Sequence, residues 1–297
     1  MSTRLAKAVA LTAVAVLAIG CGTGPAPSAV SSARPSLAAS PSPSASAVPA
    51  QLLLKVTTEG GFINPSATLA ALPTVAVYAD GRILTPAVVA ADPPPLVTPI
   101  DVRDVGPSGA TAILAAIKAA GLDKTSSAAP GVPGDSGTSV FTAVVDGAAT
   151  TTRFGGGGQP APGRPGQSAA GDPAQQAALA LLARLTDPTE TWGSTAARQS
   201  TFVPLGYRVY VGPAVTTPPA SAQPSIPWPL TTSLGGFGTP AVPDRGVPGL
   251  RQGVVLGADA ARLAPVLRSA NALSTFSAGG TSYSLWVRPL LPDEIGG

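Results

Sequence analysis

After residue 50, most hydrophobic residues fall in short segments in which they occupy every second position. In the segment 51–58, Leu52, Leu54 and Val56 have this spacing, which is typical of a β-strand with one buried face. The same pattern predicts strands at 74–78, 82–85, 100–105, 138–145, 148–154, 202–211, 254–256, 273–276 and 282–288. The connections within three pairs of these strands contain two residues that favour a tight antiparallel hairpin, namely Asp80-Gly81, Asp146-Gly147 and Gly279-Gly280.

Three other segments, 107–120, 173–186 and 258–270, space their hydrophobic residues as an amphipathic α-helix does. Pro107 suits the first helical position and Gly121 the position after the last. Pro265 lies inside the third segment and predicts a kink or a later start. The residues predicted to face inward are Ile113, Leu114 and Ile117 in the first helix, Leu179, Leu182 and Leu185 in the second, and Leu263, Val266 and Leu267 in the third.

Hairpins interrupted by helices predict the α+β class, with antiparallel β-hairpins packed against about three helices in a single globular domain over residues 51–297. Apolar residues make up 44% of the chain, which is enough for one sizeable core. The Pro-rich segment 212–249 is predicted to be irregular, although Ile226, Trp228 and Leu230 are expected to pack. The first two hairpin turns are 66 residues apart, as are Pro107 and Pro173. This spacing indicates either a duplicated unit or a coincidence within an α+β fold.

The first 21 residues resemble a secretory leader. Arg4 and Lys7 precede an apolar run of about 13 residues, shorter than the roughly 20 residues of a spanning helix. The run ends in Leu17-Ala18-Ile19-Gly20-Cys21, which resembles the lipobox of bacterial lipoproteins, although Ala18 stands where that family usually has leucine. The resemblance implies that residues 1–20 are a signal peptide and that Cys21 carries diacylglycerol, with an acyl chain such as palmitate on the new amino terminus. The alternative is an ordinary secretory signal that leaves an unpaired thiol.

Residues 21–50 are rich in Ser, Pro and Ala, contain one charged residue, Arg34, and have no aromatic residue. Such a segment cannot bury enough apolar surface to offset the entropy lost on ordering. We therefore predict a disordered tether, with a random-coil span of roughly 30 Å. It would hold the folded domain outside the cytoplasm, at the outer face of the cytoplasmic membrane.

Charge and composition exclude several classes of function. Removing residues 1–20 takes away two basic residues and leaves 16 against 15 acids, a formal charge of +1, which argues against a nucleic-acid partner. Histidine is absent and Cys21 is the only cysteine. The common nucleophile pairs and the usual ligands of zinc, haem and iron–sulfur clusters are therefore missing. We predict no metal and no cofactor.

Carboxylates and aromatic residues remain as candidates for chemistry. Paired acids can hydrolyse glycosides, but acids at turns and helix ends more often serve as caps. Trp228 lies between two prolines in the irregular segment and is the candidate for contact with a ligand, the alternative being that it packs in the core. The acids that lie close together in the sequence are Asp101 and Asp104, Asp187 and Glu190, and Asp293 and Glu294.

Three segments of the body carry a second resemblance. They are TEGGF at 58–62, VYADGR at 77–82 and RPLLPDE at 288–294, and they resemble an uncharacterised family of actinobacterial lipoproteins and secreted proteins. The resemblance covers most of 51–294 and implies no known activity. The sequence thus favours a membrane-anchored, non-catalytic cell-envelope lipoprotein that binds a protein, a glycan or another envelope ligand. The alternative is an extracytoplasmic hydrolase that uses carboxylates or a hydroxyl group.

The lipid anchor can be tested by the substitution Cys21→Ser. We expect the wild-type chain to be in the membrane fraction and to incorporate alkyne-tagged palmitate in cells, and the variant to lose the label because it has no thiol to modify. A variant that stays equally labelled and equally membrane-bound would show that the anchor is not at Cys21.

Overall fold

Thirteen β-strands and three α-helices form the regular structure of the described residues. The computed structural model describes residues 50–60, 68–124, 137–155, 173–193, 197–214, 225–242 and 246–295. The predicted signal peptide, Cys21 and the tether up to residue 49 lie outside these ranges. The strands are β1 (Leu52–Glu59), β2 (Val75–Tyr78), β3 (Arg82–Pro86), β4 (Ile100–Asp104), β5 (Thr138–Val145), β6 (Ala148–Gly155), β7 (Arg198–Thr201), β8 (Gly206–Pro213), β9 (Ser225–Pro227), β10 (Thr239–Pro240), β11 (Arg251–Leu256), β12 (Thr275–Ala278) and β13 (Thr281–Pro289).

The strands form two sheets. The first has seven strands in the order β6-β5-β1-β2-β3-β4-β7, and every neighbouring pair is antiparallel. The second has six strands in the order β10-β11-β8-β13-β12-β9, of which only β12 and β9 pair in parallel. The helices are α1 (Gly106–Ala119), α2 (Pro173–Thr186) and α3 (Gly257–Ser269). The predicted α+β class with antiparallel hairpins is confirmed.

The hairpin turns form as the sequence predicts. Asp146 and Gly147 have φ angles of 52° and 79°, the left-handed values that a two-residue turn between antiparallel strands requires. Val145 then pairs with Ala148, and the register continues along β5 and β6 to Thr138 opposite Gly155. The β2–β3 and β5–β6 hairpins lie in the same sheet. Whether their 66-residue spacing reflects duplication stays a prediction.

Helices α1 and α2 cover one face of the first sheet. Ile113 and Ile117 of α1 are fully buried against the inward residues of β1, β2 and β5. The α1 helix ends at a glycine, since Gly121 has φ 71° and donates its N–H to the carbonyl of Lys118 at 3.0 Å. The inward stripe of α2 is Ala178, Leu181 and Leu185. The prediction that Leu179 and Leu182 face fully inward was therefore wrong, because both lie at the edge of the buried stripe.

A buried arginine closes the end of α2. Arg103 of β4 is 7% exposed and donates one Nη to the carbonyl of Leu185 at 2.7 Å and the other to the carbonyl of Asp187. The first carbonyl lies in the last turn of α2 and the second just after the helix ends, where intrahelical donors are lacking. Burial lowers the pKa of Arg103, and the nearby charges of Asp187 and Glu190 oppose that effect. The side chain therefore ties α2 to the sheet through its hydrogen bonds.

Helix α3 covers the second sheet. Its buried residues Ala260, Leu263 and Leu267 pack against the inward residues of β8 and β13. Val266, which was predicted to face inward, is half-buried and packs at the edge of this cluster. Pro265 lies within the helix, which begins at Gly257 and does not start late.

Two parts of the chain differ from the predicted strands. The strand predicted at 202–211 begins only at Gly206, as β8, and residues 202–205 connect it to β7, which was not predicted. All four residues of β7 are exposed, so hydrophobic alternation gave no sign of this strand. The Pro-rich segment contains two short strands, β9 and β10, which form the two edges of the second sheet and carry Pro227 and Pro240.

The segment after β13 bonds back to the first sheet. Asp293 accepts a hydrogen bond from the hydroxyl of Tyr78 at 2.7 Å and pairs with Lys55. Burial raises the pKa of Tyr78, and its bond to Asp293 raises it further, so the phenol remains a donor. Arg288 binds both oxygens of Glu294 at 2.6 and 2.7 Å. Leu291 belongs to a hydrophobic cluster on the face of the first sheet that points away from α1 and α2.

The Arg288–Glu294 pair predicts a pH-dependent contribution to stability. Burial alone raises the pKa of Glu294, but the bonds from Arg288 and from the N–H of Leu291 outweigh it and lower the pKa below its usual 4.5. The pair therefore stabilises the fold fully above about pH 4.5, and this contribution is lost as the pH falls through the lower folded-state pKa. Glu294→Gln should lower the free energy of unfolding by about 1–3 kcal/mol near pH 7. Near pH 3 the free energies of unfolding of the variant and the wild type, measured by urea denaturation, should lie closer together.

Glu59→Gln is the matched control. Glu59 is half exposed and lies 3.7 Å from Arg153, so its removal should change the free energy of unfolding by less than about 0.5 kcal/mol at either pH. An equal effect of the two substitutions near pH 7 would contradict the role assigned to Glu294.

Candidate functional site

A cavity of about 360 Å³ lies between α3 and the segments that connect β7 with β8 and lead into β4. We call it the α3 cavity. Its volume falls in the range of roughly 300–1,000 Å³ that is usual for small-molecule sites. The lining residues are Pro95, Val97, Thr98, Pro99, Ile100, Thr201, Phe202, Val203, Pro204, Tyr207, Ala264, Leu267, Arg268 and Pro289.

Backbone hydrogen bonds hold the walls of the cavity in place. The N–H of Leu96 donates to the carbonyl of Ala270 at 3.1 Å, and the N–H of Ala272 donates to that of Pro94 at 2.8 Å. These bonds fix the segment before β4 to the chain that follows α3. On the opposite side, the N–H of Phe202 donates to the carbonyl of Ile100 at 2.9 Å. The cavity is thus enclosed by segments that are anchored on both sides.

The lining is mostly apolar and has few donors. Pro95, Pro99, Pro204 and Pro289 contribute rings and have no backbone N–H. We call these four residues the proline wall, and at these positions the lining offers a ligand no backbone N–H. Such a surface binds apolar groups by excluding water from them.

Arg268 and Tyr207 supply the strongest polar groups of the cavity. Burial raises the pKa of Tyr207, and the positive charge of Arg268 lowers it by a smaller amount. Burial dominates, so the hydroxyl stays protonated at neutral pH and can donate. Two threonines, Thr98 and Thr201, complete the polar part of the lining.

The mouth of the cavity is bordered by exposed aliphatic side chains. Val203 lines the cavity and is 79% exposed, and Leu205, two residues further along, is 58% exposed. Isolated exposed aliphatic residues are common on protein surfaces. Here they stand beside an apolar opening, where they would extend the surface available to an apolar ligand.

Five of the six acids that the sequence singled out are engaged elsewhere, and the sixth, Asp101, is exposed on β4. The Asp104 carboxylate accepts from the N–H of Gly106 at 2.9 Å. Bonds from the hydroxyl and the N–H of Thr189 lower the pKa of Asp187. Glu190 pairs with Arg184 at 2.6 Å. No carboxylate is among the residues that line the cavity, and no group of His, Cys, Asp or Glu within the described part of the chain could hold a metal ion.

Trp228 is half-buried and lies outside the α3 cavity. Its indole N–H donates to the carbonyl of Thr232 at 2.8 Å, and its ring meets Phe237 and Phe276 edge-on at 6.2 Å. This packing gives Trp228 a structural role in the core beside α3. Its role as a ligand contact stays a prediction.

The other tryptophans also pack within the protein. Trp192 is buried, and the guanidinium of Arg184 stacks on its ring at 4.3 Å. Trp286 packs with Tyr210 and Leu250 on the face of the second sheet that turns away from α3. These residues do not form a shared platform on which a sugar could stack.

Sequence reasoning missed the cavity because its residues come from connections, strands and a helix that are far apart in the chain and meet only in the folded protein. The signal that was present is the repeated proline of 93–99 and 204, next to exposed Val203 and Leu205. Arg268 lies in the last turn of α3, where the helix dipole favours any basic residue. Its position in the sequence alone therefore gives no sign of a binding site.

Comparison with family models, with curated proteins and with solved structures finds no match for this chain. The helices that the described ranges contain are too short or too polar for any of them to cross a bilayer.

Proposed function

We propose that the chain is a lipid-anchored extracytoplasmic protein that binds an envelope ligand without transforming it, and that the α3 cavity is its binding site. The observation that carries this proposal is the cavity itself, a mostly apolar space of about 360 Å³ whose strongest polar groups are those of Tyr207 and Arg268. Its size and lining are those of a site for a small molecule rather than for a protein partner.

The lipobox-like segment and the tether support the cellular setting. Cys21 would carry the lipid, and the tether would hold the domain at the outer face of the cytoplasmic membrane. A two-chain lipid anchor holds a protein firmly at a membrane, where a single chain would not. A ligand drawn from the envelope would then be within reach of the cavity.

The hydrolase alternative finds less support. A general acid or base must lie within hydrogen-bond reach of the reacting group, and the lining residues include no carboxylate. Asp293 lies near the hydroxyl of Tyr78, but it is paired with Lys55 and acts in the joint between the segment after β13 and the first sheet.

Binding in the cavity can be tested with N-phenyl-1-naphthylamine, a neutral apolar dye whose fluorescence rises and shifts to the blue in a dry site. The protein would be the mature chain, 21–297 with Cys21→Ser, which contains every described residue and needs no detergent. We expect the wild-type cavity to bind the dye and Ala264→Trp to weaken binding at least about tenfold, because the indole occupies the space.

Ala261→Trp is the matched control, since Ala261 is exposed on the same helix and does not line the cavity. It should bind the dye as wild type does. Ala264→Phe serves as a smaller filling variant, and near-ultraviolet circular dichroism checks that each variant is folded. Equal dye binding by wild type and by folded Ala264→Trp and Ala264→Phe would overturn the proposal.

A further inference from the structure

The α3 cavity has few polar groups. Among the described residues that line it, Arg268 is the only charged one, and Thr98, Thr201 and Tyr207 carry the only other polar side chains. A ligand that fills the space therefore meets mostly hydrocarbon, together with one cation and a few hydroxyl groups.

Arg268 is available to a ligand. Within the described ranges, no carboxylate forms an ion pair with it, whereas Arg262 on the same helix pairs with Asp259 at 3.3 Å. A guanidinium binds a carboxylate or a phosphate through two parallel N–H groups. The Tyr207 hydroxyl likewise has no hydrogen-bond partner among the side chains that the structure describes, and Tyr207 and Arg268 line the same cavity.

The helix end does not cancel this positive charge. Arg268 lies in the last turn of α3, where unpaired carbonyls carry partial negative charge that opposes an anion. Two carbonyls at this end are already engaged. The carbonyl of Val266 accepts from the N–H of Ala270 at 3.2 Å and from the hydroxyl of Ser269 at 2.9 Å. The carbonyl of Ala270 accepts from the N–H of Leu96 at 3.1 Å. The remaining dipole effect is smaller than that of a charge-assisted bond to a guanidinium.

The volume limits the length of the buried part of the ligand. A space of about 360 Å³ holds about twelve groups of the size of a water molecule or a methylene, taking roughly 30 Å³ for each. Since exposed Val203 stands at the opening, a longer chain could leave the cavity across an apolar surface.

We propose that the α3 cavity binds a single-chain anionic amphiphile, whose chain lies against the proline wall and whose carboxylate or phosphate is held by Arg268 and Tyr207. This inference rests on the proposed binding function and names its ligand class. It makes Arg268 the residue that selects for charge, and the proline-lined wall the part that accepts the chain.

The test measures displacement of the neutral dye by decanoate, decyl phosphate, decanol and decyltrimethylammonium, which have the same chain and different head groups. We expect at least one of the two anions to bind about tenfold more tightly than decanol, and the cation to bind most weakly. Tighter binding of decyl phosphate would indicate a lipid-derived phosphate as the source, and tighter binding of decanoate a free fatty acid.

Arg268→Gln should reduce the preference for the anion over decanol to less than about threefold while leaving the affinity for decanol unchanged. Tyr207→Phe should weaken binding of the anion by about three- to tenfold, again with decanol unchanged. Arg262→Gln is the matched control and should keep the full preference. Raising the salt concentration should reduce the wild-type preference for the anion over decanol, and should have little effect on binding by Arg268→Gln.

The two proposals fail in distinguishable ways. Equal binding of decanol and both anions by a wild-type protein that binds the dye would overturn the anionic ligand and leave the cavity as a binding site. A preference that survives in Arg268→Gln, or that is lost in Arg262→Gln, would overturn the role of Arg268. Absence of dye binding by the wild type would overturn the proposed function itself.

Discussion

The fold depends on burying both faces of the first sheet. All four residues of the central strand β2 are buried, so each face of that strand must be covered. Helices α1 and α2 cover one face with Ile113, Ile117 and Leu181. The other face is covered by the chain that returns after β13, where Leu291 packs beside Tyr78. A hydrophobic strand buried on both faces is stable only while both covers are present.

The second cover is held by polar contacts as well as by packing. Asp293 accepts from Tyr78 and pairs with Lys55, which lie on neighbouring strands, while Arg288 and Glu294 bind each other beside them. A partly buried ion pair such as Arg288–Glu294 is costly to break, because the remaining charge would be left without an opposite charge beside it. The second sheet is thus joined to the first through residues more than 200 positions apart in the chain. The α3 cavity lies where Ile100 of the first sheet approaches Tyr207 of the second.

The elements of the fold were largely predictable, because local signals determine them. The β5 strand and α2 have the bounds that their periodicity predicts, and the Asp146-Gly147 turn follows from the conformational preference of its two residues. Strand β7 was missed because its exposed polar residues are held by pairing with β4, which no local pattern reports. The strand order was also outside the reach of the sequence, since β1 pairs with β5 across a long separation. The cavity depends on this arrangement and could be recognised only once Arg268 and Tyr207 were seen in one lining.

The edges of the second sheet bear on how the protein would behave at high density. Both edge strands are short, β9 with three residues and β10 with two, and each ends in a proline, Pro227 or Pro240. A strand that is short and lacks an N–H cannot template a further strand. Proteins tethered to a membrane meet one another at a high effective concentration. In the membrane-anchored setting proposed above, these short edges would keep neighbouring copies from joining edge to edge through the second sheet.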